Sequence, residues 1–88
     1  MANHKSALKR ARQSENRRLR NRGYKTRVKK AVKDVRSAIA ENAPEQAQAN
    51  LKTAVSLLQK TATKGVIKHR TASRKISRLS RQVHRLSS

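Results

Sequence analysis

Within 23 residues, from Lys5 to Arg27, stand Lys5, Lys9, Arg10, Arg12, Arg17, Arg18, Arg20, Arg22, Lys25 and Arg27. A guanidinium offers phosphate a planar fork of donors and can stack on a base, whereas an ammonium acts as a point charge. Seven of these ten cations are Arg. A second set follows near the C-terminus: Lys68, Arg70, Arg74, Lys75, Arg78, Arg81 and Arg85. The chemistry on offer is non-covalent recognition of a dense polyanion. The parts for covalent chemistry are missing. The acids at 15, 34, 41 and 45 form no paired-carboxylate pattern, and His4, His69 and His84 lack metal-ligand spacing. There is no cysteine, no Gly-rich phosphate loop and no nucleophile elbow. No enzyme activity, cofactor, metal or small-molecule substrate is expected.

The balance of charge points the same way. Twenty-four Lys and Arg against four Asp and Glu leave +20 on 88 residues. Such a charge repels itself unless a polyanion is the partner. Nucleic acids are the densest one available, and neutralising their phosphates releases counterions. Tyr24 is the single aromatic residue, so aromatic platforms for splayed bases are not expected. The absence of cysteine fits a reducing cytosol. No apolar run is long enough for a signal segment or a membrane span, so a cytoplasmic location is expected.

The charge is uneven along the chain. Residues 1–30 hold twelve Lys/Arg and one acid, residues 31–60 four against three, and residues 61–88 eight and none. The middle supplies an apolar stripe at helical spacing: Val28, Ala31, Val32, Val35, Ala38, Ile39. Upstream of Tyr24 that stripe dissolves into Asn21, Ser14, Ala11 and Ala7. One helix over 5–41 is predicted, roughly 55 Å long, with a bend or fray at Gly23. Asn42 is read as the N-cap of a second helix over 44–63, with Pro44 in its first turn and Glu45 completing a capping box. Ala47, Leu51, Ala54, Val55, Leu58 and Ala62 share one face of it. Gly65 suits a left-handed cap. A third helix over 66–86 carries Ala72, Ile76, Leu79, Val83 and Leu86. No strand alternation occurs. Short turns place consecutive helices antiparallel. The fold class is all-α: a single-domain antiparallel three-helix bundle with an extended, highly basic N-terminal helix.

The projecting part is charged on most sides, because successive positions advance about 100° round a helix. Lys5/Lys9, Arg18/Arg22 and Lys25/Lys29 are like-charge i,i+4 pairs, each mildly destabilising. All-round charge suits insertion among several phosphate backbones, which folded RNA offers more than plain duplex DNA. Arg17, Arg18 and Arg22 are candidate RNA contacts on this ground, and Arg70 is one as part of a second basic surface on the third helix, whose apolar stripe faces the bundle. A DNA-compacting, nucleoid-type protein is the alternative reading. A membrane-surface helix would need interfacial Trp or Phe, and neither residue is present.

The opening Ala2-Asn3-His4-Lys5-Ser6-Ala7-Leu8-Lys9-Arg10 resembles the N-terminal signature of small-subunit ribosomal protein number twenty of bacteria and organelles. Arg12-Gln13-Ser14, Lys25-Thr26-Arg27-Val28, Lys64-Gly65-Val66-Ile67 and Ser77-Arg78-Leu79 continue the likeness over nearly the whole chain. The resemblance implies a three-helix protein of the cytoplasmic or organellar ribosome that binds 16S rRNA early in assembly. It implies contacts to the 5′ domain and the penultimate 3′ helix, beside other small-subunit components, with no homo-oligomer and no membrane partner. Carried over by position, Lys5, Ser6, Lys9, Arg10, Arg12, Gln13, Ser14, Lys25, Thr26 and Arg27 become rRNA contacts on the first helix. Lys68, Arg74, Lys75 and Arg78 become contacts on the last. The chain departs from the family at Lys68-His69-Arg70 and at Ile76, where a basic residue is common; periodicity assigns Ile76 to the core stripe.

Residues 1–23 have no apolar face to offset their charge, so they are expected to be disordered in the free protein and helical on RNA. A synthetic peptide of residues 1–27 should show little helix by circular dichroism in water. Substantial helix without RNA would contradict this expectation.

Overall fold

The computed structural model describes residues 2–87, with side chains described from Lys5 onward. The side chains of Ala2, Asn3 and His4, which open the family-like signature, lie outside that range. Among the described residues there are three helices and no strand: α1 (Ala2–Ala40), α2 (Pro44–Thr63) and α3 (His69–Ser87).

α1 runs unbroken through Gly23, so the helix does not fray there, and the arm upstream is helical. The reason lies in cooperativity. Fixing a first turn is costly, but extending an existing helix adds one hydrogen bond per residue fixed. The packed half, from Tyr24 onward, is that nucleus. The arm is also rich in Ala, Leu, Lys, Arg, Gln and Glu, all good helix formers.

The turn after α1 corrects one sequence expectation. Asn42 is not an N-cap; it adopts a left-handed φ of 53°. Its N–H donates to Ile39 O at 3.1 Å, and the Ala43 N–H donates to Ala38 O at 3.0 Å. These two bonds make a Schellman closure of α1. Asn tolerates that conformation because its short polar side chain lowers the penalty. Ala43 then caps α2 with no side-chain bond, so the Glu45 capping box does not form. The same closure recurs after α2. Gly65 has φ 76°, its N–H donates to Ala62 O at 2.9 Å, and the Val66 N–H donates to Thr61 O at 3.1 Å. α3 begins at His69, three residues later than periodicity suggested. The preceding Ile67 packs on the core, in the position of a hydrophobic staple to Ala72.

The core is Val28, Ala31, Val35 and Ala38 of α1, Ala47, Ala54, Leu58 and Ala62 of α2, and Ala72, Leu79 and Val83 of α3. Ile76 packs against it, half-buried, as its spacing suggested. Thr61 was missed because it is polar, yet it is fully buried. Its hydroxyl donates to Leu57 O at 2.6 Å, so no polar group is stranded there. Asn50 Nδ2 donates to Asp34 O, tying α2 to α1, and Gln48 Nε2 donates to Ser87 Oγ, tying the start of α2 to the end of α3. Both bonds require antiparallel neighbours. α2 lies against both other helices, while α1 and α3 meet least.

The protein extends 67 × 21 × 13 Å with a radius of gyration of 17.7 Å, against about 12 Å for a compact chain of this length. Its accessible surface is 7146 Å², against about 5,200 Å² for a globular protein of this mass. The excess is the arm.

Leu58→Ala should destabilise the bundle by ~2–5 kcal/mol, and Gly65→Ala by about 1 kcal/mol through its left-handed backbone. Urea titration of the two variants would check both values. Wild-type stability for either would contradict the packing and closure described above.

Candidate nucleic-acid interface

Helical spacing gathers part of the charge into a track. On α1, Arg18, Arg22, Lys25, Lys29, Lys33 and Arg36 follow one another by three or four residues, so they keep to one flank beside the core stripe. On α3, Arg70, Arg74, Arg78, Arg81 and Arg85 do the same, with Lys75 on the side toward α1. Because α1 and α3 meet least, a groove of about 640 Å³ opens between them. Lys29, Lys33 and Arg36 form one rim, Lys75 and Arg78 the other, and Val32, Ala40 and Leu79 contribute apolar surface between them. No acid lines it.

Two smaller depressions prolong the groove. One, of about 490 Å³, shares Arg36 and Gln82 with it and adds Ile39, Arg85 and Leu86. The other, of about 450 Å³, shares Lys29 and adds Arg18, Arg22 and Lys25. From Arg18 to Arg36 the track covers roughly 27 Å of helix. The opposite side of the bundle is different. α2 carries only Lys52 and Lys60 in its twenty residues. Asp34 lines a shallow site with Lys30, Asn50 and Thr53 on the α1/α2 side, and Glu41 and Glu45 flank the α1–α2 turn. The molecule therefore presents a cationic face and a nearly neutral back.

Beyond the bundle the arm keeps its charge on all sides. Lys5, Ser6, Lys9, Arg10, Arg12, Gln13, Ser14 and Arg17 are all exposed. Glu15 accepts two bonds from Arg18, at 2.7 and 3.2 Å. That bonding raises the Arg18 pKa above its ordinary value. The pair is solvent-exposed, so its contribution to stability is small. Leu8 and Leu19 are exposed at 55% and 51%, which an arm with its own protein partner inside the fold would not allow. At the arm's base the Oδ1 of Asn21 is buried without a hydrogen-bond partner.

The candidate residues thus divide. Arg18, Arg22, Lys25, Lys75 and Arg78 come together on the track, while Lys5 to Arg17 are spread round the arm. Arg70 and Arg74 lie on the outer part of the α3 face. Lys68 sits in the linker before α3. Thr26 donates its hydroxyl proton to Arg22 O at 3.0 Å, leaving only acceptor capacity. Arg27 is drawn elsewhere: its guanidinium lies 5.2 Å from the centroid of the Tyr24 ring, which Lys64 approaches at 6.0 Å. Arg85, one of the second basic set, lines the far end of the groove. Lys29, Lys33 and Arg36 are not among the predicted contacts; they continue the 18, 22, 25 series, but the apolar stripe dominates that segment.

Known proteins resemble this chain over nearly its whole length. A family model described as Ribosomal protein S20 matches residues 2–84. The chain is 57% identical over 86 residues to the small ribosomal subunit protein bS20 of Syntrophobacter fumaroxidans, covering 98% of this chain and 100% of that protein. It is 58% identical over 83 residues to that of Oleidesulfovibrio alaskensis, covering 94% and 95%. Identity to the Helicobacter acinonychis protein is 52% over 87 residues, covering 99% and 98%.

Charge removal on the two faces should separate cleanly. Arg22→Ala, and Arg10→Ala on the arm, should each weaken RNA binding and lower its salt slope by about one unit. Lys52→Ala on α2 should leave affinity and slope unchanged. Equal losses from all three would mean that binding follows net charge and not the face.

Proposed function

The chain belongs to the ribosomal protein S20 family, and from that premise we propose that it is a structural constituent of the small ribosomal subunit that binds 16S rRNA directly and stabilises its folding and assembly. The observation that carries this reading is the change in charge geometry along α1. Within the bundle most of the α1 cations keep to one flank, with Arg27 beside Tyr24 and Lys30 beside Asp34 on the other side; beyond the bundle they lie all round. A one-sided track docks on one RNA surface. A rod charged on every side is at rest only when phosphates surround it.

The work is done without catalysis. The arm enters a cleft between RNA backbones, where Lys5, Lys9, Arg10, Arg12 and Arg17 each find a phosphate in their own direction. Ala7, Ala11 and Ser14 are small enough for a backbone to come close. The bundle then sets its α1/α3 face against a second RNA element, through Arg22, Lys25, Lys75, Arg78 and their neighbours. The 5′ domain and the penultimate 3′ helix of 16S rRNA are the two elements proposed. Counterion release drives both contacts. The rigid helix joining them fixes their separation, which is how a small protein can hold two folded RNA segments in register. Relatives of this chain are small ribosomal subunit proteins of bacteria, which supports the cytoplasmic ribosome as the setting of this activity. DNA compaction would use the same charge, but duplex DNA leaves most of an all-round arm unneutralised.

A salt titration of binding to 16S 5′-domain RNA, run beside scrambled RNA and duplex DNA, tests the reading. All three curves should fall with slopes of roughly −0.7 to −0.9 per phosphate neutralised. The rRNA affinity should stay well above both controls as salt rises. Three coincident curves would instead identify a generic polycation binder.

A further inference from the structure

The α1/α3 groove differs from the rest of the cationic surface in having an inside. Its rims carry Lys29, Lys33 and Arg36 facing Lys75 and Arg78, with Val32 and Leu79 apolar between them. A phosphate backbone resting on the surface needs only the rims. It leaves the apolar strip wet. At about 640 Å³ the groove lies within the ~300–1,000 Å³ range of small-ligand sites, far too narrow for a duplex to enter. An unpaired nucleotide fits its chemistry. The base can lie on aliphatic surface while guanidinium planes stack on it, and the two flanking phosphates reach the cations of the opposing rims. Ser37 and Gln82, which also line the groove, offer hydrogen-bonding groups to a base edge or a ribose hydroxyl.

We propose that the α1/α3 groove of this protein is a binding site for a single unpaired nucleotide extruded from folded RNA, with its base between the helices and its phosphates on the Lys29–Lys33–Arg36 and Lys75–Arg78 rims. The proposal rests on the rRNA-binding reading above and adds to it a specific pocket and a ligand. It also assigns the protein a way of holding a base without aromatic residues: Arg36 and Arg78 take the place of rings. Occupancy would wedge α1 and α3, the two helices that share least contact, into a fixed spacing.

Two variants of the full-length protein separate base from backbone. Ser37→Leu/Ala40→Leu fills the groove and keeps every cation. It should weaken binding to 16S 5′-domain RNA about tenfold, in the range of a lost stacking contact, with an unchanged salt slope. Base-specific chemical probing should show one unpaired base newly reactive while the protections left by the arm persist. Lys33→Gln/Arg36→Gln should expose the same base and also lower the salt slope by about two units. Wild-type affinity and base protection in the filled variant would overturn the proposal, leaving the rims as backbone contacts only. Should the filled variant fail to fold, Lys75→Gln/Arg78→Gln probes the same base from the other rim, and no change in base reactivity would overturn the proposal equally. Failure of the underlying reading looks different: the wild-type protein would then give no protection on rRNA beyond that on scrambled RNA.

Discussion

Lys29, Lys33 and Arg36 confront Lys75 and Arg78 across a groove that no acid enters. Like charge on these two flanks of α1 and α3 has to be carried by a fold whose helices are joined mainly through α2. The two helices so charged touch each other only sparingly. They are held on either side of α2, whose twenty residues carry only two lysines. The near-neutral middle of the chain is therefore a strut. It gives both basic helices something uncharged to bury against, and it leaves the cationic flanks turned to one side.

The core that resists this repulsion is modest. Six of its eleven buried hydrophobic residues are alanines, so the helices come close but bury little apolar area each. A domain of this size holds only a few kcal/mol in such a core, roughly 3–5. Neutralising the cationic face would remove a destabilising term, so a polyanion strengthens the fold as well as occupying the surface.

The arm extends the same logic beyond the bundle. Its helix is propagated from the packed half of α1 and borrows that half's nucleus. Its residues buy no contact within the protein, which is why Leu8 and Leu19 remain exposed on it. A helix of this kind measures distance at 1.5 Å per residue. Over the arm, that rise carries cationic side chains well beyond the bundle.

By itself the sequence determined the three apolar stripes, the helical class, the left-handed Gly65 and the polyanionic partner. These depend on residue type and on periodicities of three to four, which are local properties. Even Ile76, which stands where relatives of the resembled family carry a basic residue, was assignable to the core by spacing. Asn42 was not legible, because an Asn between two helices suits the end of the first as well as the start of the second. Only backbone geometry showed it closing α1. Thr61 was invisible because its burial depends on a carbonyl one turn back accepting its proton. The groove was beyond the sequence altogether. Lys33 and Lys75 are 42 positions apart, and nothing in their local sequence pairs them across a groove. Tertiary structure alone decided that they face each other, because helix order, and with it which flanks are left apart, is fixed by how the three stripes share one core.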